Sequence, residues 1–109
     1  MSPITTHVLD TAAGRPAAGI SAVLDILGSD GVTWNLLGQS VTDADGRIRS
    51  FLADGRALLP GLYRIRFDTS HQSRFFPEVT IEFRVDDPAQ HYHVPLLLSP
   101  YGYSTYRGS

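Results

Sequence analysis

The chain has 109 residues, 42% of them hydrophobic, a combination typical of one globular domain with a buried core. It has no cysteine, which excludes a disulfide framework, a thiolate metal site and a cysteine nucleophile. The net charge is −2 and all nine basic residues are arginine. Lysine chemistry and a P-loop are therefore excluded, and nothing indicates a basic stripe for nucleic acid.

Neither a signal peptide nor a membrane segment is indicated at the start of the chain or elsewhere. The first residues have no basic segment followed by a long apolar run. The apolar stretches are far shorter than the ~20 residues that cross a bilayer. We therefore expect a cytoplasmic protein that acts without contacting a membrane.

Apolar and polar residues alternate along most of the chain, and this period of two predicts half-buried β-strands. The alternation is clearest in VTIEFRVD at residues 79–86 and in YRIRFD at residues 63–68. The predicted strands cover residues 4–9, 20–27, 33–40, 47–52, 63–68, 79–86, 91–98 and 101–107. Short strands at this spacing predict an all-β sandwich or barrel.

Turn-forming residues separate the predicted strands. They occur at residues 13–16, 29–31, 43–46, 60–61, 86–88 and 99–102. No repeat or linker interrupts the pattern, so we expect residues 1–109 to form a single domain. At most one short helix is predicted, beginning near Ser70 and ending near Arg74.

Strand phase sets His7 apart from the predicted core. Ile4, Thr6 and Val8 share one face of the first strand, so His7 lies on the opposite face, beside Thr5. A solvated or hydrogen-bonded histidine with no function is the simpler interpretation of such a residue. A functional site on this face is the alternative.

The strand at residues 91–98 presents a more unusual face. Its apolar residues alternate, which predicts that His91 and His93 share the outer face with Pro95 and Leu97. Two histidines, a proline and a leucine do not make an ordinary solvated surface. The pattern indicates a functional site or a subunit contact.

Two further chemistries compete for these histidines. A zinc site would need a third protein ligand, for which His71 is available, but no His-x-x-x-His spacing is present. A serine nucleophile, Ser104 or Ser109 with His93, would lack the Gly-x-Ser-x-Gly turn. Water activated by a histidine is the simpler hypothesis.

The sequence DADGR at residues 43–47 begins like a calcium-binding loop. An EF-hand needs an oxygen ligand at its fifth position and glycine at its sixth. Those positions hold Arg47 and Ile48, so calcium binding is rejected. The residues instead predict a tight turn that leads into the strand carrying Arg47.

The chain ends with an aromatic ring, a guanidinium, a glycine and a hydroxyl. These residues, called the tail below, are Tyr106, Arg107, Gly108 and Ser109. Terminal residues usually fray. Such a set of recognition groups after an apolar run at residues 94–98 predicts a tail that is held in place and used.

The chain resembles the 5-hydroxyisourate hydrolase family of transthyretin-like proteins over nearly its whole length. The matching segments are residues 4–10, 14–17, 42–47, 75–79, 91–100 and 103–109. The closing tetrapeptide is the most specific motif, since true transthyretins lack it. One departure lies between Asp68 and Phe75, where family members commonly have a longer helical segment.

The resemblance implies a transthyretin-like β-sandwich of two four-stranded sheets. It also implies a homotetramer, a dimer of dimers, with active sites at the dimer–dimer interface and no metal or cofactor. The catalytic residues that it implies are His7, Arg47, His93 and Ser109. The substrate-binding residues that it implies are His7, Arg47, Tyr106, Arg107, Gly108 and Ser109.

The activity implied by the resemblance is hydrolysis of 5-hydroxyisourate to 2-oxo-4-hydroxy-4-carboxy-5-ureidoimidazoline in urate degradation. This would be a metal-independent hydrolysis of a cyclic amide, with water activated by His7 or His93 and the substrate clamped by Arg47. The alternatives are a non-catalytic transthyretin-like protein that binds a small ligand and a structural β-sandwich.

Overall fold

The computed structural model describes residues 3–52 and 56–109, and its strands form two packed sheets. In chain order these strands are β1 (Ile4–Asp10), β2 (Arg15–Pro16), β3 (Ser21–Leu27), β4 (Trp34–Val41), β5 (Arg47–Ile48), β6 (Gly61–Asp68), β7 (Glu78–Val85), β8 (Tyr92–Ser99) and β9 (Gly102–Thr105). No helix lies within the described ranges, and hence none that is long and apolar enough to cross a membrane.

The first sheet is centred on a parallel pair, β1 and β8. Seven residue pairs join these strands, from Ile4 opposite Tyr92 to Asp10 opposite Leu98. The far side of β8 pairs antiparallel with β9. The far side of β1 pairs with β5 at residues 6–7 and with β2 at residues 9–10. The beginning, the centre and the end of the chain therefore meet in one sheet.

The second sheet is antiparallel, in the order β4-β3-β6-β7, and the hydrophobic core lies between the two sheets. The largest fully buried side chains include Tyr63, Phe67, Ile4, Leu24, Ile65, Leu96 and Leu98. Burial alternates along β6 and β7, as the sequence pattern predicts. The all-β fold is confirmed.

The structure differs from the predicted strands at their ends. The strand expected over residues 47–52 pairs only at Arg47–Ile48, and the last strand ends at Thr105. Residues 15 and 16, expected in a turn, pair with the end of β1. The short pieces β2 and β5 flank β1, so this sheet has five strands where four were expected. The predicted domain, 1–109, includes residues 1, 2 and 53–55, which lie outside the described residues.

The segment expected to contain a helix forms a turn. The backbone N–H groups of Gln72 and Ser73 both donate to the carbonyl of Thr69, at 3.0 and 2.9 Å. The Ser73 hydroxyl then bonds outside this turn, to the Pro100 carbonyl at 2.7 Å. Because this segment is bonded to the rest of the fold after a single turn, it does not continue into a helix.

A buried carboxylate connects the central strands on the outer face of the second sheet. Asp25 on β3 is 2% exposed and accepts hydrogen bonds from Arg64 and Arg66 on β6, each at 2.8 Å. Burial by itself would raise the pKa of Asp25, but hydrogen bonds and attraction from Arg66 and Arg64 outweigh it, and the pKa is lowered. Arg64 also lies over the Trp34 ring, 4.4 Å from its centroid.

Replacing this carboxylate tests how much it stabilises the fold. Asp25→Asn is expected to lower the free energy of unfolding by about 2 kcal/mol, because two charge-assisted hydrogen bonds are weakened. Urea denaturation at neutral pH measures this, with exposed Asp86→Asn as a control expected within ~0.5 kcal/mol of wild type. Equal stability of Asp25→Asn and wild type would contradict the expectation.

The stability difference between wild type and Asp25→Asn is also expected to depend on pH. The folded-state pKa of Asp25 lies below the ordinary value of 3.8, so its stabilisation is complete above that value. The difference in free energy of unfolding between wild type and Asp25→Asn should therefore decrease as the pH falls through the folded-state pKa of Asp25.

Candidate active site

The geometry of the site begins with the register of β1 against β8, which places Thr5 opposite His93. The Thr5 hydroxyl lies 2.8 Å from Nδ1 of His93 and 3.0 Å from Nε2 of His91. The two imidazole rings are nearly parallel, with centroids 6.3 Å apart. Thr5 is 6% exposed, and its hydroxyl lies between the two rings.

His93 is half-buried, and its surroundings favour the neutral ring. Burial is the main cause that lowers its pKa, and the positive charge of Arg47 adds to the effect. His91 and His7 lower it further when they are charged. A neutral imidazole near pH 7 can accept a proton, which a general base must do.

Arg47 is positioned by the tight turn that the sequence predicts at residues 43–47. The Asp43 carboxylate accepts from the backbone N–H of Arg47 at 3.0 Å, and Asp43 N–H donates to the Arg47 carbonyl at 2.9 Å. Gly46 has a φ of +75°, and a Cβ there would lie 2.4 Å from the Val8 carbonyl oxygen. Glycine therefore lets the turn pack on β1 and brings Arg47 opposite His7.

Two arginines line the site, and the acidic turn neutralises one of them. Arg49 donates to Asp43 at 2.9 Å and lies 3.7 Å from Asp45. Among the described residues, no carboxylate lies within ion-pair distance of Arg47. The half-buried guanidinium of Arg47 is thus the cation left for a ligand.

His7 lies next to this site on the face of β1 that also carries Thr5. Its Nε2 lies 2.8 Å from the backbone carbonyl of Asp45. Because a carbonyl oxygen only accepts, His7 must carry a proton on Nε2. His7 is close enough to influence the pKa of His93, although it is not among the residues that line the cleft described below.

The tail continues along β8 beyond the end of β9. Gly108 N–H donates to the His93 carbonyl at 2.9 Å, and this pair keeps the register of β8 with β9. A Cβ at Gly108 would lie 2.4 Å from Cδ2 of His93, so glycine allows the backbone to pack on the ring. The prediction that the tail is held in place is confirmed by this geometry.

Arg107 has a different position from Arg47. Its guanidinium lies over the Tyr92 ring, 4.5 Å from the centroid, and donates to the Gln90 side chain at 2.9 Å. Both contacts hold the tail against the segment before β8. Tyr106 is 58% exposed and lies with Arg107 at a second, smaller pocket of about 250 Å³, which is lined by residues of β7, β8 and the tail.

These elements enclose a cleft of about 470 Å³. The residues that line it are Thr5, Thr6, Arg47, Ile48, Arg49, His91, His93 and Ser109. Three of the four predicted catalytic residues are therefore brought together from distant segments, and His7 lies beside them. Sequence reasoning gave no role to Thr5, and it placed His91 with His93 on the outer face without assigning it a catalytic or binding role.

The cleft combines a free cation, a neutral imidazole and a hydroxyl. No cluster of three or more histidine, aspartate or glutamate residues suited to a metal ion occurs within residues 3–52 and 56–109. The side chains present can bind an oxygen-rich planar ligand through Arg47 and withdraw a proton through His93.

Known proteins are similar to this chain over nearly its full length, which includes all the residues that line the cleft. A 5-hydroxyisourate hydrolase from Caulobacter vibrioides is 44% identical over 119 residues and covers 100% of both chains. The uric acid degradation bifunctional protein TTL of Arabidopsis thaliana is 46% identical over 98% of this chain. The chain spans 37% of the length of that plant protein.

Solved structures of transthyretins and 5-hydroxyisourate hydrolases are also similar to this fold. The structure of Klebsiella pneumoniae 5-hydroxyisourate hydrolase matches with a TM-score of 0.80 and 34% identity, over 97% of this chain and 98% of that one. Sea bream transthyretin in complex with thyroxine matches with a TM-score of 0.86 and 29% identity, over 97% and 94%. The fold is thus a transthyretin-like β-sandwich. The HIUase/Transthyretin family model matches residues 4–108, and the chain belongs to this family.

Proposed function

We propose that this protein hydrolyses 5-hydroxyisourate to 2-oxo-4-hydroxy-4-carboxy-5-ureidoimidazoline, a step in urate degradation. The observation that carries the proposal is the cleft, in which Arg47, His93 and Ser109 meet from three separate segments. Relatives named for this hydrolysis are similar to the chain over its full length.

The proposed reaction opens the six-membered ring at an amide bond. Nε2 of neutral His93 takes a proton from water, and the resulting hydroxide forms a bond to the amide carbonyl carbon. The C–N bond then breaks, and the proton held by His93 passes to the leaving nitrogen. The proposed reaction uses these side chains without a metal or cofactor, and a positioned acid–base group typically contributes about 10²–10⁴-fold.

Arg47 is proposed to bind the substrate and to stabilise the negative charge that develops on the carbonyl oxygen. Its planar guanidinium suits a flat ring rich in carbonyl groups. Support comes from the contrast with Arg49, whose charge is already paired with Asp43. Ser109 is proposed to position the water or the ring through its hydroxyl or its carboxylate.

The remaining predicted substrate-binding residues, His7, Tyr106, Arg107 and Gly108, are proposed to act in an assembled site. The predicted assembly is a homotetramer, a dimer of dimers, with sites at the dimer–dimer interface. Large exposed apolar side chains near β9, Tyr101 at 83% and Phe75 at 68% exposure, support self-association.

Binding of a small ligand without chemistry is the alternative function. The likeness to a transthyretin solved with thyroxine favours it, since the two folds match closely. The hydrolytic proposal explains more of the cleft, because a carrier has no need for a neutral histidine with an engaged Nδ1 beside a free arginine.

An ultraviolet assay tests the proposal directly. 5-Hydroxyisourate is generated from urate by urate oxidase, and its decay is followed with and without the protein. The protein is expected to accelerate the decay, and His93→Ala to slow turnover about 100-fold or more because the base is lost.

His71→Ala is the matched control, because His71 lies in the exposed turn after β6 and outside the cleft. It should turn over like wild type. Decay no faster than the spontaneous rate with wild type would refute the hydrolase proposal. Near-normal turnover by His93→Ala would refute the role of that residue.

Removal of the tail tests its role separately. A chain ending at Tyr106 is expected to remain folded, with a melting temperature lowered slightly by the loss of the Arg107 and Gly108 contacts. Turnover should fall about 100-fold, because Ser109 and the backbone that packs on His93 are missing. Ser104→Ala, an exposed hydroxyl removed from β9, serves as the control. Normal turnover without residues 107–109 would show that the tail has no part in the reaction.

A titration tests the electrostatic link between Arg47 and His93. Because the charge of Arg47 helps to lower the pKa of His93, Arg47→Gln should raise that pKa. The value should stay below the ordinary 6.5, since burial is the larger cause. NMR titration of the His93 ring measures this, and exposed Arg74→Gln should leave it unchanged. A fall in the pKa would contradict the assignment.

A further inference from the structure

The hydroxyl of Thr5 has a contact pattern that the proposed reaction does not yet use. It lies within hydrogen-bond distance of two imidazole nitrogens, 2.8 Å from Nδ1 of His93 and 3.0 Å from Nε2 of His91. The pairing of β1 with β8 fixes the position of Thr5 opposite His93, and Thr5 is almost fully buried. A hydroxyl between two rings couples their protonation states.

The coupling follows from counting protons. A threonine hydroxyl has one proton to donate and lone pairs with which to accept. If it donates to His91, it accepts from Nδ1–H of His93, and Nε2 of His93 is bare. If it donates to His93 instead, neutral His93 carries its proton on Nε2 and has no nitrogen free to act as a base.

The position of the His93 ring identifies which nitrogen faces the reacting groups. Nδ1 is engaged by Thr5, so Nε2 is the ring nitrogen left over. The neighbouring Cδ2 atom packs against Gly108 of the tail, next to Ser109, which lines the cleft. The Nε2 edge of the ring therefore faces the tail side of the site.

We propose that Thr5 is a positioning residue that donates to Nε2 of His91 and accepts from Nδ1–H of His93, which keeps Nε2 of His93 bare as the base. The catalytic consequence of this arrangement rests on the proposed hydrolysis, whereas the tautomer itself does not. His91 is the acceptor that sets the direction of the hydroxyl. His7 donates to a backbone carbonyl, which fixes its proton on Nε2.

The first test is spectroscopic and needs no substrate. In protein labelled with ¹⁵N at histidine, NMR at neutral pH should show His93 with a protonated Nδ1 and a bare Nε2. In Thr5→Val, which has a similar shape and no hydroxyl, the resonances should report a mixture of both tautomers. Thr5→Ser keeps the hydroxyl and should retain the wild-type pattern. A proton on Nε2 of His93 in wild type would overturn the proposal.

The second test is kinetic and uses the 5-hydroxyisourate assay. Thr5→Val should lower kcat roughly 10- to 100-fold with KM changed less than about twofold, as expected when a residue that orients a catalytic histidine is lost. Thr5→Ser should restore most of kcat. Equal kcat values for the two variants would overturn the proposed role of the hydroxyl.

A matched pair at His91 tests the acceptor. Glutamine can present a carbonyl oxygen to Thr5, whereas leucine presents no acceptor. His91→Gln should therefore keep the His93 tautomer, while His91→Leu should give mixed tautomers. Identical tautomer ratios in the two variants would exclude His91 as the acceptor. If wild type does not hydrolyse 5-hydroxyisourate, the hydrolytic proposal fails, but the tautomer measurements still decide this inference.

Discussion

The parallel pairing of β1 with β8 is the constraint on which the site depends. It joins residues from the two ends of the chain and fixes Thr5 opposite His93. A slip of one residue would turn His93 into the core and Val94 toward the cleft, because side chains alternate along a strand. The core residues Val8 and Leu96, both fully buried and opposite each other, hold the register through their packing. Site geometry and core stability are thus set by the same pairing.

The second requirement is an arginine whose charge is not paired with a carboxylate, although acidic residues lie next to it in the turn. The turn at residues 43–47 meets this requirement because Asp43 makes different contacts with Arg47 and with Arg49, two residues further on. Asp43 accepts from the backbone of Arg47 but from the side chain of Arg49, so the carboxylate positions one arginine and neutralises the other. This turn can pack on β1 only because residue 46 is glycine, since any side chain there would clash with the backbone of β1. The acidic turn is therefore a device for placing Arg47.

The sequence predicts those parts of the structure that follow from local pattern. Alternation identifies the long strands and the outward direction of His7 and His93, and turn chemistry identifies the approach to Arg47. The local sequence pattern could not reveal the parallel pairing of β1 with β8, because this pairing joins residues far apart in the chain. For the same reason the contact of Thr5 with two histidines stayed hidden, although its place beside His7 on the outer face was a signal. The position of Arg107 over Tyr92 also needed the structure, because a guanidinium can serve a ligand or a ring equally well.

The proximity of Arg47 to His93 has a consequence for the order of events in the proposed reaction. In the free protein, burial and the charge of Arg47 keep His93 neutral and only weakly basic. A substrate oxygen that pairs with Arg47 offsets part of that charge, so the pKa of His93 rises toward its ordinary value on binding. Base strength then increases when substrate is present, which moves the pKa closer to the value that favours proton transfer near pH 7. One unpaired arginine would in this way link recognition of the substrate to activation of water.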